Sequence, residues 1–233
     1  MFWASDKRLL LLVGGTALVA VLGVLVFFWV RDTKAVADLK SPDADSATRL
    51  QAMKTLAGKT GEEKAKALTV QISNTDLKVA RTAVRELGLM HRQEDLPVLK
   101  QAAISDPRPE VKEAAVRALD NYAEAAAPVM IEVFDKKETH PEAKALAADS
   151  LGKNRVWEAM PKLVDALEDP SPVVRGRAYA AVRKILGLDY GFRAEADESV
   201  RKPIVARIRA DWRLQYPFHL DYMRRLKAEG KQP

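Results

Sequence analysis

The chain has no cysteine among its 233 residues. Disulfides, zinc–thiolate centres and thiol nucleophiles are thereby excluded, and the absence suits either side of a membrane. Histidine is scarce as well. His91, His140 and His219 stand in separate segments, and none has a second histidine three or four residues away, so the sequence predicts no metal ion. No alternating run reads as a strand, and no Walker, GxSxG or GxGxxG motif is present to follow one. Ser150 beside Asp149 has no base next to it. Aromatic residues are only 6% of the chain, which suits small, closely packed helices. These absences together predict a protein that is not an enzyme and needs no cofactor.

The net charge of +6 is concentrated. Residues 201–233 hold Arg201, Lys202, Arg207, Arg209, Arg213, Arg224, Arg225, Lys227 and Lys231 against Asp211, Asp221 and Glu229. The other 200 residues are electrically balanced. The excess therefore sits entirely in the C-terminal segment.

Residues 9–30 form an uncharged run. As a helix it would span roughly 33 Å, the thickness of a bilayer core. Lys7 and Arg8 abut one end and Arg31 the other, and Trp3 and Trp29 fall near the two expected interfaces, where indole rings prefer to lie. The run ends in Phe27-Phe28-Trp29-Val30, which offers no small-x-small cleavage site, so a retained anchor is predicted rather than a cleaved signal peptide. The short basic tail before it points to a repeat domain outside the cytoplasm at the cell membrane.

What the chain does have is a phrase that returns every 31 or 32 residues. It begins at Asp43, Asn74, Asp106, Glu138 and Asp169. Five residues after each start comes an anchor: Thr48, Val79, Val111, Ala143 and Val174. Four residues on stands an unbroken alanine column, Ala52, Ala83, Ala115, Ala147 and Ala178. Eight residues on come Leu56, Leu87, Leu119, Leu151 and Val182. Spacings of four and eight place all three on one helical face, and alanine in the middle predicts a close helix–helix approach. Pro109, Pro141 and Pro172 suit a first helical turn. Asp45, Asp76 and Ser171 suit N-caps, which Arg108 and His140 do less well. A second helix is predicted in each unit from Leu68 and Ile72, Leu99 and Ala103, Met130 and Phe134, and Leu163 and Leu167, with Pro97, Pro128 and Pro161 at its start. Gly58, Gly88 and Gly152 are read as ends of the first helix.

These features resemble the HEAT repeats of bacterial proteins, including the short repeats of phycobilin lyases. The resemblance rests on the Asp-Pro-x-Pro-x-Val-Arg start at Asp169, the alanine and leucine columns, and the proline that opens the second helix. It covers roughly residues 43–187. It implies an all-α solenoid of about five helix pairs, an architecture that serves many unrelated functions. The acidic starts and the cations one residue after the anchors (Arg49, Lys112, Lys144, Arg175) read as a structural ladder: each acid accepts loop amides and meets a cation from the neighbouring repeat.

The last segment changes pattern. Residues 188–192 read as a turn and Ala196–Trp212 as a helix with Ile204, Val205, Ile208 and Trp212 on one face. A final helix is predicted after Pro217, with Phe218, Tyr222, Met223 and Leu226 inward and Gly230 at its end. The resulting division is 1–8 tail, 9–30 anchor, 31–44 linker, 45–187 solenoid and 188–233 basic cap. The expected function is a membrane-tethered, non-catalytic scaffold that holds a protein partner. The alternative is a ligand-binding or lyase-like module. Trp157, in a bend between helices, is the predicted partner contact. Arg207, Arg213, Arg224, Arg225 and Lys227 are the predicted contacts to an acidic partner or anionic lipid. Gln101, Glu132 and Asp165 on the second helices are neutral to acidic, so no nucleic acid is expected.

Overall fold

The structure is a computed structural model and describes residues 24–135 and 139–230. Trp3, Lys7, Arg8 and residues 9–23 of the uncharged run lie outside the described residues, as does Glu138. Among the described residues no helix is long and apolar enough to cross a membrane, and no strand occurs. Eleven helices are described: α1 (residues 24–40), α2 (Ser46–Thr55), α3 (Glu62–Ile72), α4 (Leu77–Leu89), α5 (Leu96–Ser105), α6 (Pro109–Leu119), α7 (Ala127–Asp135), α8 (Pro141–Lys153), α9 (Met160–Asp165), α10 (Pro172–Leu186) and α11 (Glu198–Ala228). They divide into two compact units with the boundary between Glu86 and Leu87, inside α4.

In the first unit, α1 runs through residues 31–40, a stretch read from sequence as part of a linker. It is helical there because Ala35 and Leu39, four apart, both find cover: they are 5% and 0% exposed. The Gln71 amide donates to the Leu39 carbonyl at 2.7 Å and closes the end of that helix. Lys64 is buried, 5% exposed, and its ammonium donates to the Leu56 and Lys59 carbonyls at 2.7 and 2.8 Å. It thereby holds the loose carbonyls at the C-terminal end of α2, with the Glu86 carboxylate 3.7 Å away.

The second unit is a two-layer stack. The first helices α6, α8 and α10 pack in a row, and α5, α7 and α9 form the facing row. In each unit the columns lie on the covered helix faces. Every member of the alanine column is 3% exposed or less, and Val79, Val111, Ala143 and Val174 are fully covered. Thr48 is the exception and is exposed. Each large apolar side chain removed from water in this way contributes about 1.5–3 kcal/mol. The fifth repeat is incomplete: α10 ends at Gly187 in a left-handed cap (φ +72°), and the chain runs extended before α11 packs across α9 and the 3₁₀ turn that follows it. Among the described residues, the first helix of the fifth repeat, α10, has no second helix of its own.

Two sequence expectations need correction. Gly88 and Gly152 do not end their helices; both lie within the last turn. They are small because the next repeat leaves no room. A Cβ on Gly88 would meet the Ala118 Cβ at 2.5 Å, and one on Gly152 would meet the Ala181 Cα at 2.6 Å. In the intervening repeat the same column holds Asp120, which the Ser150 hydroxyl and the Lys153 ammonium engage from the next helix. Against the upward push of burial, they keep its carboxyl below the ordinary value.

The second correction concerns the tail. Two helices separated at Pro217 were predicted, but α11 is continuous across Pro203 and Pro217. Each proline removes one backbone hydrogen bond, while the covered face continues through Val205, Ile208, Trp212, His219 and Met223. Phe218 and Tyr222, expected inward, are 78% and 57% exposed.

The ladder is real in its first half. Asn74, Asp106 and Asp169 each accept the amide two residues on, at 2.9, 2.9 and 2.8 Å. Only part of the second half holds. Lys144 meets Asp169 of the following repeat at 3.5 Å, whereas Arg49 and Arg175 turn back to carbonyls of their own turns. A guanidinium reaches several carbonyls at once, so it stays in the turn that offers them. Asp45 and Asp76 cap their helices by side chain. Ser171 does not.

One backbone feature recurs without a sequence mark. His91, Ala123 and Arg155 stand twelve residues after their anchors, between the first and second helices of three successive repeats. Their φ angles are +52°, +48° and +49°, a region that costs residues with a Cβ.

Candidate functional site: an aromatic cleft beneath the C-terminal helix

The second unit contains a cleft of about 690 Å³. Pro128 and Ile131 of α7 form one wall, and the bend 153–158 between α8 and α9 forms another. Ile185 closes the side toward α10, and His219, Tyr222 and Met223 of α11 form the roof. The cleft exists because α11 lies on α9 and carries its last turns past the start of α7, where no second helix of a fifth repeat fills the space.

Trp157 stacks on His219 inside it. Their ring centroids are 4.3 Å apart and their planes differ by 12°. Burial pushes the His219 imidazole below its ordinary 6.5, with Glu158 pulling weakly the other way. The ring is therefore neutral at pH 7. The cleft interior is apolar, through Ile131, Val156, Ile185 and Met223, while Glu124, Lys153, Arg155 and Glu158 stand at its edges. Such a site takes an apolar or aromatic group and fixes it by a polar rim. Arg155, in its left-handed conformation, is one of three such residues, so its strain belongs to the repeat and not to the cleft.

The structure brings together some of the predicted residues. Trp157 is half-buried in the cleft wall. Trp29 on α1 is 68% exposed, and the Arg31 guanidinium lies 4.7 Å above the Phe28 ring. Arg207, Arg213, Arg224 and Arg225 are exposed on α11 and none of them lines the cleft. Arg207 lies over the Tyr190 ring at 5.6 Å, and Arg225 pairs with Asp221 at 2.6 Å. The side chain of Lys227 lies outside the described residues. On the second helices, Glu132 is paired with Lys100 and Asp165 with Arg209. Sequence reading found Trp157 but missed His219 as its partner. The 3.6-residue period places His219 on the same face of α11 as Met223, but it gives no sign of what lies beneath that face.

Glu113, His140 and Glu142 place three ligand-type atoms within 4.8 Å of one another. His140 Nδ1 is 2.7 Å from Glu142 and 3.7 Å from Glu113. Glu113 on α6 is half-buried, while His140 and Glu142 at the start of α8 are exposed.

Comparison with known proteins fits this architecture. A sequence profile of HEAT repeats matches residues 33–120 and, overlapping, 65–140. No curated protein sequence matches the chain. Among solved structures, the chain is similar to the complex of CpcE and CpcF of phycocyanin lyase from Nostoc sp. PCC7120, with 23% identity and a TM-score of 0.51. That match covers 67% of this chain and 65% of the other, so the chain spans less than two thirds of its relative's length. It is also similar to an engineered protein of the Northeast Structural Genomics Consortium, at 18% identity and a TM-score of 0.44, covering 77% of this chain and 96% of that one. The first likeness is one of fold.

Proposed function

This chain is a HEAT-repeat protein, and from that premise we propose that it is a membrane-tethered, non-catalytic scaffold that holds a protein partner in the cleft under α11. The observation that carries the reading is the Trp157–His219 stack in the wall of an apolar cleft of about 690 Å³. A large, half-buried aromatic in such a setting is the kind of residue that dominates interfaces. The uncharged run 9–30 supports a single-pass tether at the cell membrane, with the repeats outside the cytoplasm. The similar CpcE–CpcF structure is itself a complex, which is in keeping with a protein partner.

The test is purification of the full chain and of Trp157→Ala in mild detergent, followed by mass spectrometry. A protein recovered in stoichiometric amount with the parent chain and lost from the variant supports the scaffold. Equal recovery by both removes the cleft from the reading.

A second reading is favoured by the cleft's size and by the phycocyanin lyase named in the neighbouring structure: a ligand-binding or lyase-like module that receives a chromophore-sized molecule. Binding or conversion of such a ligand by the purified chain, abolished by Trp157→Ala, would move the conclusion to that reading.

A further inference from the structure

The outer face of α11 exposes large apolar side chains beside arginines. Leu214, Phe218 and Tyr222 are 70%, 78% and 57% exposed. They stand four residues apart, so successive members are offset by only about 40° and form one stripe along the helix. Arg213 and Arg224 border the stripe on one side, and Arg207 and Arg225 lie beyond its two ends in the same angular sector. Asp221 is a carboxylate on the same face and is tied to Arg225 at 2.6 Å. Leu214 and Phe218 take no part in the cleft. They protrude from the helix, so there is no groove here to receive a partner helix. Four guanidiniums would also repel the same face of a second copy.

We propose that this face is an interfacial membrane helix: Leu214, Phe218 and Tyr222 enter the boundary between headgroups and acyl chains of an anionic bilayer while Arg207, Arg213, Arg224 and Arg225 bind its headgroups. A helix with an aromatic and aliphatic stripe flanked by arginine lies in such a surface. Each basic group near an anionic leaflet adds to the attraction, and salt screens it. The location of the entire net charge of +6 in residues 201–233 has a direct use on such a surface. The inference deepens the tethered reading and rests on it only for bringing the chain to a bilayer.

The absence of native cysteine makes the test clean. Leu214→Cys, Phe218→Cys and, as an off-face reference, Val173→Cys (Val173 is 52% exposed on α10) are nitroxide-labelled in the full chain. They are reconstituted in nanodiscs of phosphatidylcholine alone or with phosphatidylglycerol. The expected result is a shift of labels 214 and 218 from water-soluble to lipid-soluble relaxant on anionic discs, lost at high salt and lost in Arg213→Glu/Arg224→Glu/Arg225→Glu, while label 173 stays in water. Labels 214 and 218 remaining in water on discs that carry the chain overturn the inference and leave the tether standing; the face then belongs to a protein. Equal insertion into neutral discs overturns the anionic recognition. A chain that associates with neither disc overturns both the inference and the tether.

Discussion

Gly152 in α8 lies directly against Ala181 in α10, so close that a Cβ on the glycine would stand 2.6 Å from the alanine's Cα and 2.7 Å from its Cβ. The obstacle is backbone, which cannot swing aside. Gly152→Ala should therefore destabilise the second unit by about 1–3 kcal/mol through overpacking, even though alanine is the better helix former by about 1 kcal/mol. Gly88→Ala should behave alike, since its Cβ would meet Ala118 at 2.5 Å. Gly176, in the interior of α10, is the contrast. A Cβ there meets only the Ala194 side chain, at an ordinary 3.7 Å, so Gly176→Ala should stabilise by up to about 1 kcal/mol. Midpoints of denaturant unfolding for the three variants check the ordering. A stabilised Gly152→Ala would show that α8 and α10 separate readily.

Ala123 tests the recurring strained turn. At φ +48°, ψ −122° its Cβ crowds the backbone and nothing is gained from the side chain, which is exposed. Ala123→Gly should raise stability by about 1 kcal/mol, the cost of the strain less the extra freedom glycine has when unfolded. His91→Gly is a weaker test, because His91 also lies 6.0 Å from the Tyr122 ring and would lose that contact. A loss of stability in Ala123→Gly would mean that the turn is not strained as its angles imply.

The same comparison shows what periodicity can and cannot carry. The anchor, alanine and leucine columns were legible because burial on one helical face recurs at fixed spacing and excludes polar residues. Gly88 and Gly152 were visible but misread: glycine serves both at helix ends and at close approaches, and only the position of the next helix decides between them. The column reads Thr60, His91, Ala123, Arg155 and Leu186, and its middle three members carry the positive φ. None is glycine, so no residue announces a left-handed turn. The cleft was legible only through Trp157. Its other side is set by where α11 crosses α9, a long-range packing event that leaves no local pattern. Phe218 and Tyr222 were assigned inward on the rule that large apolar side chains are buried, and that rule fails on a face that has no neighbour.

Lys64 and Glu86 form a buried pair whose two members are each 5% exposed in the side chain. Burial pushes the Lys64 ammonium below its ordinary value, and the nearby Glu86 carboxylate only partly offsets it. Its hydrogen bonds to the Leu56 and Lys59 carbonyls give it work that the ion pair alone would not explain. Lys64→Met should cost about 1–3 kcal/mol, since it leaves the Lys59 carbonyl without its donor and Glu86 with only the exposed Arg85, 3.1 Å away, as counter-charge. Adding Glu86→Leu should recover part of that loss but not all of it, because the Lys59 carbonyl still lacks the ammonium that it accepts from. Full recovery in the double variant would show that the carbonyl contacts contribute nothing. A double-mutant cycle by denaturant unfolding separates the two.

His219 reports on the cleft through its proton. Its folded value is lowered from 6.5 by burial, with Glu158 opposing. The folded state therefore binds fewer protons than the unfolded chain in the window below about 6.5, and stability rises with pH there. The contribution is complete above 6.5 and declines as the pH falls through that value toward the folded one. His219→Gln should flatten this part of the stability profile. In an NMR titration, the His219 ring should titrate below 6.5 in the parent chain. Trp157→Ala should bring it back toward 6.5, because removing the indole admits water to the imidazole. A cation on the face of Trp157 would itself be attracted, and this works against burial. A parent titration at or above 6.5 would mean that the indole face and Glu158 together outweigh desolvation, and the expected loss of stability at low pH would be absent.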